Sequence, residues 1–273
     1  MTESVRAFVP GHVTGFFSAH PDDDPTRAGS RGAGVALTDG VTVALEEGSG
    51  IAVDGEEVAL EAVDRVLDAL RVEARVVAES DLPLGAGFGV SGALALGTAL
   101  VVNEAFDRGL SENELVTIAH GAEVQAGSGL GDVVAQARGG VPIRLEPGAP
   151  PHGALDGIPA RGRVEYATFG ELSTEAVLSG DTGELTAAGG RALSSLVAEP
   201  TLETLMFASR RFAREAGLLT PTVHDVVTDI SAAGGEASMA MLGETVFALG
   251  TGLTDAGYDA NTCAISAAGA HLL

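Results

Sequence analysis

The segment Pro83-Leu84-Gly85-Ala86-Gly87-Phe88-Gly89-Val90-Ser91-Gly92-Ala93 is the part of this chain best suited to chemistry. Gly85, Gly87 and Gly89 alternate, and Ser91-Gly92 lead into an alanine- and leucine-rich stretch that predicts a helix over Ala93–Phe106. Glycine lets the backbone adopt positive φ and approach a ligand closely. The first turn of the following helix offers unpaired N–H groups and the positive end of the helix dipole. Pro83, Gly85, Ala86, Gly87, Gly89, Ser91 and Gly92 are therefore candidates to hold the phosphates of a nucleotide. Two rival loops can be weighed. A P-loop needs a lysine after its last glycine, and this chain has no lysine. Gly87-Phe88-Gly89-Val90-Ser91-Gly92 matches the dinucleotide pattern. Yet Ser80–Leu84 parts it from the preceding strand, and the place of the ribose-binding acid, near Glu112, is a helix start. A flexible loop, or glycines serving close helix packing, is the bland alternative.

The elements around the loop are partly readable. Val63, Val66, Leu67 and Leu70 recur at helical spacing and predict a helix around Glu57–Leu70. Val72–Ala78 alternates as a strand, just before the loop. Ser111-Glu112-Asn113-Glu114 is a capping box that opens a helix to about Gln125. Gly127–Gly131 breaks it; a short helix over Asp132–Ala137 and a strand over Val141–Leu145 follow. Pro147–Pro159, rich in Pro and Gly, is the best internal boundary. Beyond it come a strand over Arg163–Thr168, a helix through Leu202, Met206 and Phe212 that stops near Gly217, and a helix over Pro221–Ala233. Glu244–Leu249 and Cys263–Ala267 read as strands. The fold class is α+β in two halves: residues 1–155, which carry the loop, and residues 156–273.

Composition narrows the partners. At 273 residues the chain can bury a large core, and none of its apolar stretches is as long as a membrane span. The N-terminal residues lack the pattern of a secretory signal. A single cysteine, Cys263, fits a reducing cytoplasm and reads as a small buried hydrophobe. The formal net charge is −23, and all 15 basic residues are arginine. Such a surface repels nucleic acid and anionic lipid, and resembles that of proteins adapted to high salt, such as those of halophilic archaea. Without lysine, phosphates must be held by backbone N–H groups, arginine or a metal. His20, His120, His152, His224 and His271 show no metal-ligand spacing, and Asp22-Asp23-Asp24 reads as a solvated acidic turn.

Three segments together resemble the GHMP kinases. Pro83–Ala93 looks like the family's second motif, Pro10-Gly11-His12 like its first, and Gly234–Gly243 like its third, a glycine-containing turn. They occur in the family's order and span essentially the whole chain. Phe88 replaces the usual Leu, and Val90-Ser91-Gly92 the usual Ser-Ser-Ala. These departures move the likeness from the mevalonate and homoserine enzymes to the archaeal branch that acts on pantoate. The resemblance implies a two-lobed fold, with an N-terminal half like domain 2 of ribosomal protein S5 and a ferredoxin-like C-terminal half. It implies transfer of the ATP γ-phosphoryl group to pantoate, on the route to coenzyme A, with Mg²⁺ present.

The resemblance also places the site residues. Ser91 and Glu123 align with metal-contacting positions. Asp132, nine residues after Glu123, matches an aspartate that accepts the substrate hydroxyl proton; helix capping is its other use. Pantoate carries a carboxylate, which calls for a cation. Arg144, twelve residues after Asp132 and flanked by apolar residues, is the candidate for substrate binding and catalysis. His12 and Ser30 are candidates to bind the substrate's hydroxyls or carboxylate. A homodimer is expected. The alternatives are another acceptor (homoserine, mevalonate or shikimate) and a non-catalytic nucleotide- or metabolite-binding regulator.

Overall fold

The computed structural model describes residues 5–171, 182–241 and 243–273. Its larger sheet is built on a long antiparallel pair, β1 (Arg6–His20) and β2 (Gly29–Glu46). Beyond β2 stand β5 (Arg75–Ser80), then β3 (Gly50–Val53) parallel to it, then β4 (Glu56–Val58) at the edge. β6 (Val141–Glu146) pairs with β2 through Gly32 and Ala33, and β7 (Ala154–Ile158) pairs with β6. The smaller sheet is antiparallel in the order β11 (Asn261–Ala264), β8 (Arg163–Glu171), β10 (Gly243–Leu249), β9 (Glu236–Ala240). The chain crosses from one sheet to the other between Ile158 and Arg163, and returns with β12 (His271–Leu272) beside β1. The α+β class holds.

α2 (Val90–Ala105) and α4 (Asp132–Arg138) pack on the larger sheet, and α1 (Glu61–Leu70) and α3 (Glu112–Ala126) pack on α2. α2 is apolar on all sides and is buried accordingly. It sits so close to the sheet that a Cβ on Gly97 would stand 2.5 Å from Val43 Cγ2. α5 (Gly183–Ala198) lies across β1, where a Cβ on Gly189 would meet the Phe17 carbonyl at 1.9 Å. α6 (Leu202–Glu215) and α7 (Pro221–Ala232) cover β9, and the four-residue α8 (Gly252–Asp255) adjoins β8. One hydrophobic cluster runs through both sheets.

Local chemistry explains where the elements depart from expectation. The helix expected from Glu57 starts only at Glu61, because Glu56–Val58 returns on β3 as a hairpin. Asp54 and Gly55 form its turn, with φ of 52° and 82°. Two consecutive positive φ values are what a two-residue hairpin of this hand requires. The expected glycine turn over 234–243 contains β9, and the Pro/Gly-rich boundary region contains β7. The capping box at Ser111 forms in full: the Ser111 side chain accepts from the Glu114 N–H, and the Glu114 carboxylate accepts from the Ser111 N–H. Cys263 is buried, and burial pushes its thiol up to about 12. Asp22, Asp23 and Asp24 are exposed, and Asp24 caps its own turn by accepting from the Thr26 N–H.

Candidate active site

The glycine-rich loop forms one wall of a cavity of about 320 Å³. Gly85, Gly87 and Gly89 have φ of 81°, 88° and 65°, the region that favours glycine. A Cβ on Gly87 would lie 3.1 Å from the Met241 carbonyl and 3.2 Å from the Gly243 N. The third motif therefore packs directly on the second. The Thr245 hydroxyl donates to the Ala86 carbonyl at 2.8 Å, and the His12 N–H donates to the Phe88 carbonyl at 2.9 Å, so the first motif is tied in as well. Gly89 is the N-cap of α2 and contributes no side-chain cap. The N–H groups of Val90, Ser91 and Gly92 then have no carbonyl one turn back within the helix, an arrangement suited to an anion. Gln136 of α4 holds the junction from behind, donating from Nε2 to the Gly89 carbonyl at 2.9 Å.

Side chains build the opposite wall. Asp132 is the first residue of α4. Its Oδ1 lies 2.7 Å from His12 Nδ1 and 3.4 Å from the Thr14 hydroxyl. Gly131 occupies the N-cap with no side-chain bond, so the carboxylate of Asp132 turns to β1 and does not cap its own helix. Burial pushes the Asp132 carboxyl up, but the bond and charge of His12, the Arg144 guanidinium and Thr14 outweigh it and hold the group below its ordinary value. Burial lowers His12, which Asp132 only partly offsets. The pair is thus a neutral imidazole donating Nδ1–H to an ionised carboxylate. Arg144 is 2% exposed, and among the described residues its Nε and Nη1 have no hydrogen-bond partner. Burial depresses it while Asp132 raises it, and an arginine stays charged through such shifts. A buried cation without a bonded partner is costly, on the order of several kcal/mol. Ser30 stands beside it and donates to the Leu130 carbonyl at 3.3 Å. A Cβ on Gly131 would meet both Ser30 Oγ, at 2.5 Å, and Arg144 Nε, at 2.7 Å.

Between the walls lies Glu123, 3% exposed on α3. The hydroxyls of Ser91 and Ser128 donate to its Oε1 at 2.6 and 2.8 Å. Burial pushes its carboxyl up to about 7; the two serines pull it down and Asp132 adds to the rise. Gly129 separates the two carboxylates: a Cβ there would lie 2.3 Å from Glu123 Oε2 and 3.7 Å from Asp132 Oδ2. Among the described residues no group of three or more His, Cys, Asp or Glu could hold a metal by itself. Ser91 and Glu123 form a two-oxygen set of the kind that suits an ion shared with phosphate and water.

The cavity thus gathers Gly85, Gly87, Gly89, Ser91, Ser30, Glu123, Asp132 and Arg144. Pro83, Ala86, Gly92 and His12 do not line it. Pro83 is exposed, Ala86 and Gly92 are buried in the packing that shapes the loop, and His12 is wholly buried behind Asp132. The side-chain partner of His12 in the structure is the carboxylate of Asp132. Thr14, Phe17, Ser128, Gln136 and Met241 were not among the expected site residues. The two-residue spacing of His12 and Thr14, which share one face of a strand, is the signal that could have found Thr14.

Comparison with known proteins bears on this arrangement. The family described as GHMP kinases N terminal domain matches residues 57–140, which include the loop, Glu123 and Asp132. The pantoate kinase of Thermococcus kodakarensis is 36% identical over 90% of this chain and 87% of its own. This chain belongs to the pantoate kinase family of the GHMP kinases. The pantoate kinase of Methanocaldococcus jannaschii agrees, at 35% identity over 89% of this chain and 91% of its own. A solved structure titled "Phosphotransferase related to CoA biosynthesis pathway" superposes with a TM-score of 0.85 at 32% identity, covering 98% of each chain. The GHMP kinase fold therefore applies to the whole chain, both sheets included. No helix among the described residues is long and apolar enough to cross a membrane.

Proposed function

We propose that this protein transfers the γ-phosphoryl group of ATP to the C4 hydroxyl of pantoate, giving ADP and 4-phosphopantoate on the route to coenzyme A. The observation that carries the reading is Arg144: a buried guanidinium whose Nε and Nη1 have no hydrogen-bond partner among the described residues opens into the same cavity as an ionised aspartate and a phosphate-type loop. A substrate carboxylate is the partner it lacks, and a planar fork is well matched to one.

The chain's residues divide the work. The loop N–H groups and the N-terminus of α2 hold the phosphates. Ser91 and Glu123 would hold Mg²⁺, which, when bound, neutralises phosphate charge. Arg144, with Ser30, fixes the acceptor carboxylate. Asp132 accepts the proton as the acceptor oxygen forms its bond to the γ-phosphorus and the bond to the β-phosphate oxygen breaks. His12 and Thr14 hold Oδ1, which leaves Oδ2 for the substrate. An ionised carboxylate kept that way by its neighbours suits a general base. The charge of −23 and the absence of lysine support a protein working at high salt, and the single cysteine fits a cytoplasmic one.

A coupled ADP-release assay in concentrated KCl, with pantoate, homoserine, mevalonate and shikimate as acceptors, tests the reading. Pantoate is expected to give at least a hundredfold higher kcat/KM than any other. A different preferred acceptor would overturn the substrate; ATP binding without turnover on the whole panel would favour the regulator.

A further inference from the structure

Phe17 lines the cavity although simple alternation would turn it away. Residues of β1 and β2 pair as His12 with Ala36 and Thr14 with Gly34, but then as Phe16 with Ala33 and Phe17 with Gly32. Gly15 is the extra residue of a bulge, and a bulge reverses which residues face a given side. His12, Thr14 and Phe17 therefore share one face. Gly32 pairs in turn with Arg144 on β6, so Phe17, Gly32 and Arg144 form one row across three strands. Residues in such a row point to the same side. Met241 joins from the third motif: its N–H donates to the Thr14 carbonyl at 2.9 Å, and it too lines the cavity. An aromatic and a thioether residue, each 4% exposed, thus contribute to the wall that carries Asp132 and Arg144.

Catalysis needs no apolar wall there. Its place matches one acceptor feature, because pantoate carries a quaternary carbon with two methyl groups on the path from its C4 hydroxyl to its carboxylate. We propose that Phe17 and Met241 form the specificity pocket for this dimethyl carbon. With the carboxylate at Arg144 and the hydroxyl at Asp132, the methyl groups displace water from the two side chains. The bulge at Gly15 is the local device that brings Phe17 into the pocket. This inference rests on the pantoate reading above and adds which residues reject the unbranched acid.

The test compares pantoate with 2,4-dihydroxybutanoate, which keeps the carboxylate and both hydroxyls and lacks the methyl groups. The measured quantity is the ratio of their kcat/KM values in wild type, Phe17→Leu and Met241→Ala. Wild type is expected to favour pantoate by a factor on the order of 100, since each of the two buried methyl groups contributes about tenfold discrimination. In both variants the ratio is expected to fall below about ten, mainly through a higher KM for pantoate. Met241→Ala keeps the test open if Phe17→Leu, which loosens the contact of Phe17 with the Phe212 ring at 5.8 Å, fails to fold. A wild-type ratio near one, or an unchanged ratio in the folded variants, overturns the pocket and leaves the pantoate reading intact. No turnover of pantoate by wild type overturns both.

Discussion

The two walls of the cavity are made differently. The loop wall is backbone: three glycines at positive φ, a helix with an uncapped N-terminus, and close packing against Met241 and Gly243. The acceptor wall is side chain: Asp132, His12, Thr14, Arg144 and Ser30, drawn from four separate elements. Backbone N–H groups serve any polyphosphate, whatever the acceptor. On the proposed reading the choice of acceptor resides in the other wall, where Arg144, Asp132, Phe17 and Met241 meet. Stability divides in the same way. Among the described residues, His12 Nε2 and two nitrogens of Arg144 lie buried without hydrogen-bond partners at or behind the acceptor wall, against Gln136 Oε1 alone behind the loop wall. Each such atom costs about 1–3 kcal/mol, a concentration of strain expected where a ligand must bind.

Substitutions can separate the walls. The largest expected effect is from Asp132→Asn, which removes the proposed base: kcat should fall by about a thousandfold with KM for ATP nearly unchanged. Near-normal turnover in a folded Asp132→Asn protein would remove the proton-acceptor role. Next, Arg144→Met should raise KM for pantoate by about a hundredfold and leave ATP binding alone. The same substitution should raise Tm by a few degrees without substrates, because it deletes an unpaired buried charge. An equal loss of ATP and pantoate affinity would show that the walls do not act separately.

Glu123→Gln probes the seam between them. Mg²⁺ required for half-maximal rate should rise more than tenfold. Its pH signature has a definite sign. The folded-state value of about 7 lies above the ordinary 4.5, so the protonated group favours the fold. That contribution is complete below pH 4.5 and is lost as pH rises to 7, on the order of 3 kcal/mol in all. Urea unfolding in EDTA at pH 5 and pH 8 should show this loss in wild type and not in Glu123→Gln.

Smaller effects belong to the loop. Gly87→Ala puts a side chain at φ of 88°, 3.1 Å from the Met241 carbonyl. It should cost about 1–3 kcal/mol of stability and weaken ATP binding several-fold, both measurable by thermal shift with and without nucleotide. Phe88→Leu restores the residue usual in the family. It should cost about 1 kcal/mol, through loss of the edge contact with Tyr166 at 4.9 Å, and leave kcat within about twofold.

The contrast between walls also governs what the sequence revealed. Glycines at fixed spacing before a helix state a backbone conformation directly, so the loop was legible, as were the capping box at Ser111 and α2. Asp132 and Glu123 were reached through likeness to a family and Arg144 through the need for a cation in a chain without lysine, and their convergence depends on tertiary structure. The burial of His12 was not legible, because Pro10-Gly11-His12 looks like a turn and is in fact part of a 15-residue strand. Glycines at 11, 15, 29, 32, 34 and 40 hid β1 and β2, since they break alternation while allowing the strands and helices to approach. Nor could any periodicity show that a bulge at Gly15 turns Phe17 round.

The most direct test of the account is a proton-coupled ³¹P spectrum of the completed reaction of ATP, Mg²⁺ and pantoate in concentrated KCl. With the carboxylate at Arg144 and the primary hydroxyl at Asp132, one phosphomonoester should appear for each ADP formed. Its signal should be a triplet, from the two protons of C4. A doublet would place the phosphate on the C2 hydroxyl and contradict the orientation; free phosphate in place of an ester would contradict the transfer itself.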